Sequence, residues 1–143
     1  MKRLMLLLLL IIFPLSSCVS NYRPINPPIV YCNPAQIELL ACTESFKVKG
    51  LVFHCIGYGS MLPIIKTDDY LIVMPKTFSE NDLLGKIVAY KSNNVAVAVT
   101  HRLVRKYKEG YVAKGDNNLA ADIEYVTQQN IIGEVIEIFR AKK

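Results

Sequence analysis

The residues best suited to chemistry lie in Gly57-Tyr58-Gly59-Ser60-Met61-Leu62-Pro63, where one serine sits between glycines directly after an apolar run. Glycines at 57 and 59 let the backbone approach a ligand closely, and Pro63 stiffens the exit. A free serine hydroxyl is a poor nucleophile and needs exposure plus a base within hydrogen-bond reach. The chain offers two histidines for that task. His54 precedes Ser60 by six residues inside the apolar run, and His101 stands between Thr100 and Arg102 in a later one. Spacing does not choose between them. Each also reads as an ordinary core or surface histidine, and Ser60 as a plain turn serine. Gly57-Tyr58-Gly59 lacks the third glycine of a dinucleotide fingerprint. With no Cys-x-x-Cys and no histidine cluster, no metal or other cofactor is expected.

A turn serine and a distant histidine need a rigid frame, and from residue 48 onward the pattern supplies one made of strands. Short β-rich runs fall at 48–56, 70–74, 86–90, 95–107, 111–113 and 131–139, separated by Gly, Pro and Asn-Asn turn signals. Such a series predicts a mainly β single domain. Ahead of it, Asn33-Pro34-Ala35-Gln36 reads as a helix start, with Asn as cap and Pro in the first position. That short helix should end near Ser45 and turn Ile37, Leu40 and Ala41 inward. Residues 19–31 hold Pro24, Pro27 and Pro28 and read as an extended tether.

The 143 residues are the length of one domain. A content of 52% apolar and 20% charged residues excludes a disordered or collagen-like chain. The formal charge of +5 is small, apolar residues interrupt the basic stretch 102–108, and no helix-turn-helix pattern occurs, so nucleic acid is not an expected partner. Lys2 and Arg3 lead into an apolar run at 4–13, broken by Pro14. As a helix that run rises ~15 Å, too little for a ~30 Å hydrocarbon core, so it reads as an export signal rather than a membrane span. Cys32 and Cys42 could close a small disulfide loop in an oxidising compartment, while Cys55 reads as a buried thiol.

Two resemblances sharpen these readings. Leu15-Ser16-Ser17-Cys18 resembles the lipobox of bacterial lipoproteins, which implies cleavage of a 1–17 signal peptide and lipidation of Cys18. The protein would then be tethered by lipid to a membrane surface, and Val19 in place of aspartate points to an outer membrane facing the periplasm. Gly59-Ser60-Met61-Leu62-Pro63 with Asp69 resembles the nucleophile segment of type I signal peptidases. Further blocks follow in that family's order: 85–90, Val99-Thr100-His101-Arg102-Leu103-Val104, Lys114-Gly115-Asp116-Asn117-Asn118 with Asp122, and Ile132-Gly133-Glu134-Val135. The likeness runs from about residue 50 to the end, making 18–47 the tether and short helix and 48–143 the peptidase domain.

Histidine at 101, followed by Arg102, resembles the endoplasmic-reticulum and archaeal subtype, which uses a Ser-His pair where common bacterial enzymes and self-cleaving repressors use Ser-Lys. The resemblance implies the β-rich catalytic fold shared with those repressors, and a serine endopeptidase acting on exported precursor or signal peptides. Ser60 would be the nucleophile, His101 the base, and Asp122 or Asp116 the acid that orients His101, with Asp122 preferred. Two positions depart from the pattern: Tyr58 stands where many relatives carry serine, and Asp68 where glycine precedes the aspartate. A catalytically inactive, peptide-binding lipoprotein is the alternative.

Overall fold

The computed structural model describes residues 22–57, 59–76 and 82–143. The 1–17 leader, Cys18 and Tyr58 therefore lie outside the described residues. The chain runs β1 (Ile29–Cys32), a 3-10 turn (Pro34–Gln36), α1 (Ile37–Val48), β2 (Leu51–His54), β3 (Tyr70–Pro75), β4 (Ile87–Lys91), β5 (Ala98–Lys106), β6 (Tyr111–Lys114), β7 (Tyr125–Val126) and β8 (Ile131–Ala141). It is mostly β with one short helix, as expected. The strands form a sheet in the order β2-β3-β8-β4-β5-β6-β7, and β1 adds to β8 in parallel.

β8 is the spine. One edge pairs with β3 along Gly133–Phe139, while the other takes β4 at Ile131–Glu134 and then β1 at Ile138–Ala141. Ile72 faces Glu137 but Val73 faces Val135, so Ile136 is an extra residue on β8. That bulge reverses the in-out alternation, which lets Val135 and Ile138 enter the same core with Met61, Ile65, Leu71, Val73, Ile87 and Ala89. A second core, around Leu83, Val88, Tyr90, Leu103, Tyr111, Ala113 and Val126, lies on the β4–β7 side.

The helix begins where the sequence predicts: the Asn33 side chain accepts the Ala35 N–H at 2.9 Å, with Pro34 next in line. It runs on to Val48 and stops when Lys49 turns left-handed (φ 53°), so that the Gly50 N–H reaches the Ser45 carbonyl at 2.8 Å. The strand expected from residue 48 therefore starts at Leu51. Ile37, Ala41 and Ser45 form the buried face, set against Cys32, Ile72 and Phe139; Leu40 turns outward instead. Cys32 is buried and Cys42 exposed, and both are free thiols. The loop disulfide considered for them is not formed, because α1 turns Cys42 away from the core that takes Cys32. Cys55 is half-buried rather than buried, and that burial pushes its thiol pKa up, with the Gly57 backbone hydrogen bond opposing.

The expected tether is part of the folded body from Tyr22 on. Ile25 N–H bonds the Gly85 carbonyl at 3.0 Å, and Ile29–Cys32 is a sheet strand. Proline spacing suggested an extended chain, and the chain is extended; what it concealed was a strand partner 109 residues away, Ile29 facing Ile138. Among the described residues, no helix is long and apolar enough to cross a membrane.

Candidate active site

β5 carries His101, the candidate base. Its residues alternate across the sheet, so His101 and Arg102 point to opposite faces. His101 faces Val88 of β4, and Tyr90 lies two residues along the same strand on the same face. The Ser60 turn follows β2: Gly59 takes a left-handed φ of 83°, and just after Ser60 a helical turn is closed by Ile65 N–H to the Met61 carbonyl. A glycine is needed at 59 because only it adopts that φ without strain.

These elements set Ser60 Oγ 3.0 Å from His101 Nε2, and Asp122 Oδ2 2.6 Å from His101 Nδ1. His101 is 8% exposed. The same Asp122 oxygen accepts the Tyr90 hydroxyl at 2.6 Å. Burial, and then the Asp122 carboxylate, push the Tyr90 hydroxyl pKa far above its ordinary value, so Tyr90 stays a donor. With two donors on one oxygen, Asp122 is fixed in place. Its segment is held further by Asp122 N–H to the Ala113 carbonyl and by Glu124, which accepts the Ser92 hydroxyl and the Asn93 N–H. The line Ser–His–Asp lets imidazole Nε2 take a serine proton while the carboxylate fixes the tautomer and balances the imidazolium charge.

Asp116 is elsewhere. It receives both Arg102 Nε and Nη2, at 2.8 and 2.7 Å. Of the two acids considered for His101, the structure brings Asp122 to the imidazole and gives Asp116 to Arg102. The polar stretch 115–118 is more than a hairpin turn, because it grips the Gly59–Met61 segment. Asn117 N–H donates to the Ser60 carbonyl at 2.8 Å, its amide donates to Gly59, and Asp116 N–H meets the Met61 sulfur. A Cβ on Gly115 would stand 2.7 Å from the Ser60 carbonyl oxygen, so this close approach requires glycine.

The far end of the Ser60 loop is anchored by Asp69, 1% exposed, which takes a two-point contact from Arg140 of β8 and accepts the Lys66 N–H. Asp68 occupies a left-handed φ of 67°, a conformation that aspartate tolerates and glycine adopts freely. His54, the other base considered, stacks on Tyr70 at 4.6 Å and faces Asp68 on the surface. Lys106 turns to Asp82 and the Tyr111 ring. No cluster of His, Cys, Asp and Glu suited to a metal ion occurs among the described residues.

Tyr90, Asn117 and Arg140 are the site-forming residues that sequence reasoning missed. Tyr90 carried a signal: strand alternation puts it beside the residue facing His101, and a buried tyrosine hydroxyl needs a partner. Asn117 stood in the matching 114–118 block but without a role of its own, and Arg140 carried no signal, since their contacts depend on loops meeting across the fold.

With the site assembled as a Ser-His-Asp line on a β-rich frame, likeness to known proteins becomes informative. Over 89 residues the chain is 35% identical to the signal peptidase complex catalytic subunit of Sclerotinia sclerotiorum, covering 54% of this chain and 52% of that protein. It is 33% identical over 89 residues to the subunit of the same name from Fusarium vanettenii, with the same coverage. For the Neurospora crassa subunit the figure is 32% over 88 residues, 54% of this chain and 51% of that protein. The chain thus spans about half the length of the curated relatives it matches. No family model matches the sequence. No solved structure matches either.

Proposed function

We propose that this protein is a serine endopeptidase of the signal-peptidase kind, which cleaves exported precursor or signal peptides by Ser-His acyl transfer. The observation that carries the reading is the Ser60–His101–Asp122 line of 3.0 and 2.6 Å contacts in a chain similar to signal peptidase catalytic subunits. Ser60 Oγ attacks the scissile carbonyl as His101 Nε2 takes its proton. The tetrahedral intermediate collapses when that proton passes to the leaving amine, which frees the C-terminal product and leaves an ester on Ser60. Water, deprotonated by the same imidazole, hydrolyses the ester and restores the hydroxyl. The Ser60 backbone N–H supplies an oxyanion donor. Asp122 holds His101 in the tautomer that leaves Nε2 free to accept.

The protein works at a membrane surface in this reading, held by lipid on Cys18 and facing the periplasm from the outer membrane. The lipobox-like Leu15-Ser16-Ser17-Cys18 supports that part, and mass spectrometry of the protein from membranes tests it. A lipid-bearing peptide that begins at Cys18 is expected; an intact leader or an unmodified cysteine overturns the anchor.

The test of activity incubates the full chain and its Ser60→Ala variant with an exported precursor bearing small residues before the cut. A defined cleavage by the parent, absent with Ser60→Ala, is expected. Binding of the precursor by the folded parent without cleavage, across several precursors, overturns the peptidase reading in favour of an inactive peptide-binding protein.

A further inference from the structure

Arg102 neighbours His101 in β5, yet its side chain lies on the other face of the sheet and is 2% exposed. A buried guanidinium must satisfy its whole fork of donors, because each unmet N–H costs its full desolvation. Asp116 takes two, through Nε and Nη2. The rest go to the Gly85 carbonyl at 2.7 Å, the Ile25 carbonyl at 3.0 Å and the Asn26 side-chain oxygen at 2.8 Å. Two of the five acceptor contacts therefore come from the segment 22–28, which precedes β1 and lies outside the stretch that resembles signal peptidases.

The segment is seated for this. Ile25 N–H bonds the Gly85 carbonyl, the same oxygen that receives Arg102. Gly85 takes a φ of +85°, and a Cβ there would stand 2.2 Å from the Arg23 carbonyl oxygen, so the arm is pressed onto the turn before β4. From Arg102 the contacts lead to the nucleophile. Asp116 is fixed by the guanidinium, and its neighbours Gly115 and Asn117 abut and hydrogen-bond the Ser60 carbonyl.

We propose that Asn26, with the Ile25 carbonyl, is a positioning element for the Ser60–His101 pair, acting through Arg102 and Asp116. The kinetic part of this inference rests on the peptidase reading. Asn26 touches no reacting atom. It completes the shell that keeps Arg102 pointed at Asp116, and so keeps the 115–117 turn against the Ser60 backbone.

The experiment uses the full chain with Asn26→Leu, which keeps the size but removes the acceptor, and Asn26→Asp, which keeps it. Both are assayed on the precursor below the onset of unfolding. Asn26→Leu should lower kcat about tenfold with KM nearly unchanged, the scale at which small misplacements of reacting groups act. Asn26→Asp should restore the parent rate to within about twofold, because a carboxylate oxygen accepts from guanidinium at least as well. A parental kcat in Asn26→Leu, equal losses in both variants, or a rise in KM alone would each overturn the proposal. If the parent neither cleaves the precursor nor labels at Ser60 with a fluorophosphonate, the peptidase reading fails by itself. The arm is then judged on the imidazole nitrogen resonances of His101. Displacement in Asn26→Leu and return in Asn26→Asp supports it, and unmoved resonances overturn it.

Discussion

Replacing each of the two acids by its amide separates their roles. In Asp122→Asn the side-chain oxygen can still occupy the site where one carboxylate oxygen receives both Tyr90 and His101. The side chain keeps its place, and the charge is lost. The cost falls on the transition state, where His101 becomes imidazolium. Unit charges about 4 Å apart at an effective dielectric of 20 attract by about 4 kcal/mol, so kcat should fall about a thousandfold. Stability should change little. Asp116→Asn does the reverse: it leaves Arg102, 2% exposed, without its anionic partner, which costs about 3 kcal/mol or more of folding stability. Its kcat, measured where the variant is still folded, should fall far less than that of Asp122→Asn. Chemical denaturation and single-turnover cleavage, run on both variants, give the two axes. Near-parental kcat in Asp122→Asn together with a thousandfold loss in folded Asp116→Asn would refute the assignment.

Three further changes probe the frame. Tyr90→Phe removes one donor from Asp122 inside a site where Tyr90 is 2% exposed, and should cost about 1.5–3 kcal/mol in denaturant unfolding; no change would mean the hydroxyl is idle. Gly115→Ala places a Cβ 2.7 Å from the Ser60 carbonyl oxygen and should lower kcat at least about tenfold in a folded protein, read by cleavage beside circular dichroism. The Ser92 hydroxyl, helped by the Asn93 backbone against burial, holds the Glu124 carboxyl below its ordinary 4.5. A carboxylate whose pKa is lower folded than unfolded stabilises fully above the ordinary value, and that stabilisation is lost as pH falls through the folded value. Glu124→Gln should therefore be less stable than the parent at neutral pH, with the gap closing in acid; a pH-independent gap would refute it.

Turn and strand signals made most of the frame legible. Five of the six expected runs match β3 to β6 and β8 to within a few residues, and the sixth gave β2 once α1 had claimed Val48. β7 was missed because two residues, Tyr125–Val126, carry no period. β1 was missed because its partner lies at the other end of the chain, and prolines masked it. Leu40 was misplaced because α1 is apolar on more than one side, with Leu39 and Phe46 also exposed, so periodicity could not mark the buried face. At the site, the resemblance to type I signal peptidases implied Ser60, His101 and, ahead of Asp116, Asp122. Residue pattern alone left His101 and His54 open, since alternation and loop paths decide which side chains meet.

The position of β8 makes closure of the sheet depend on long-range pairing. β2 pairs with β3, and β4 to β7 form a second run of neighbouring strands, but the two groups join through β8, which follows every one of its partners in the sequence. Closing such long loops precedes any reward from the contacts they bring, which slows folding and leaves apolar strand edges open meanwhile. Arg140, the anchor of Asp69 and so of the Ser60 loop, stands on that same strand. Removing that one strand would therefore part the two halves of the sheet and release the Ser60 loop together.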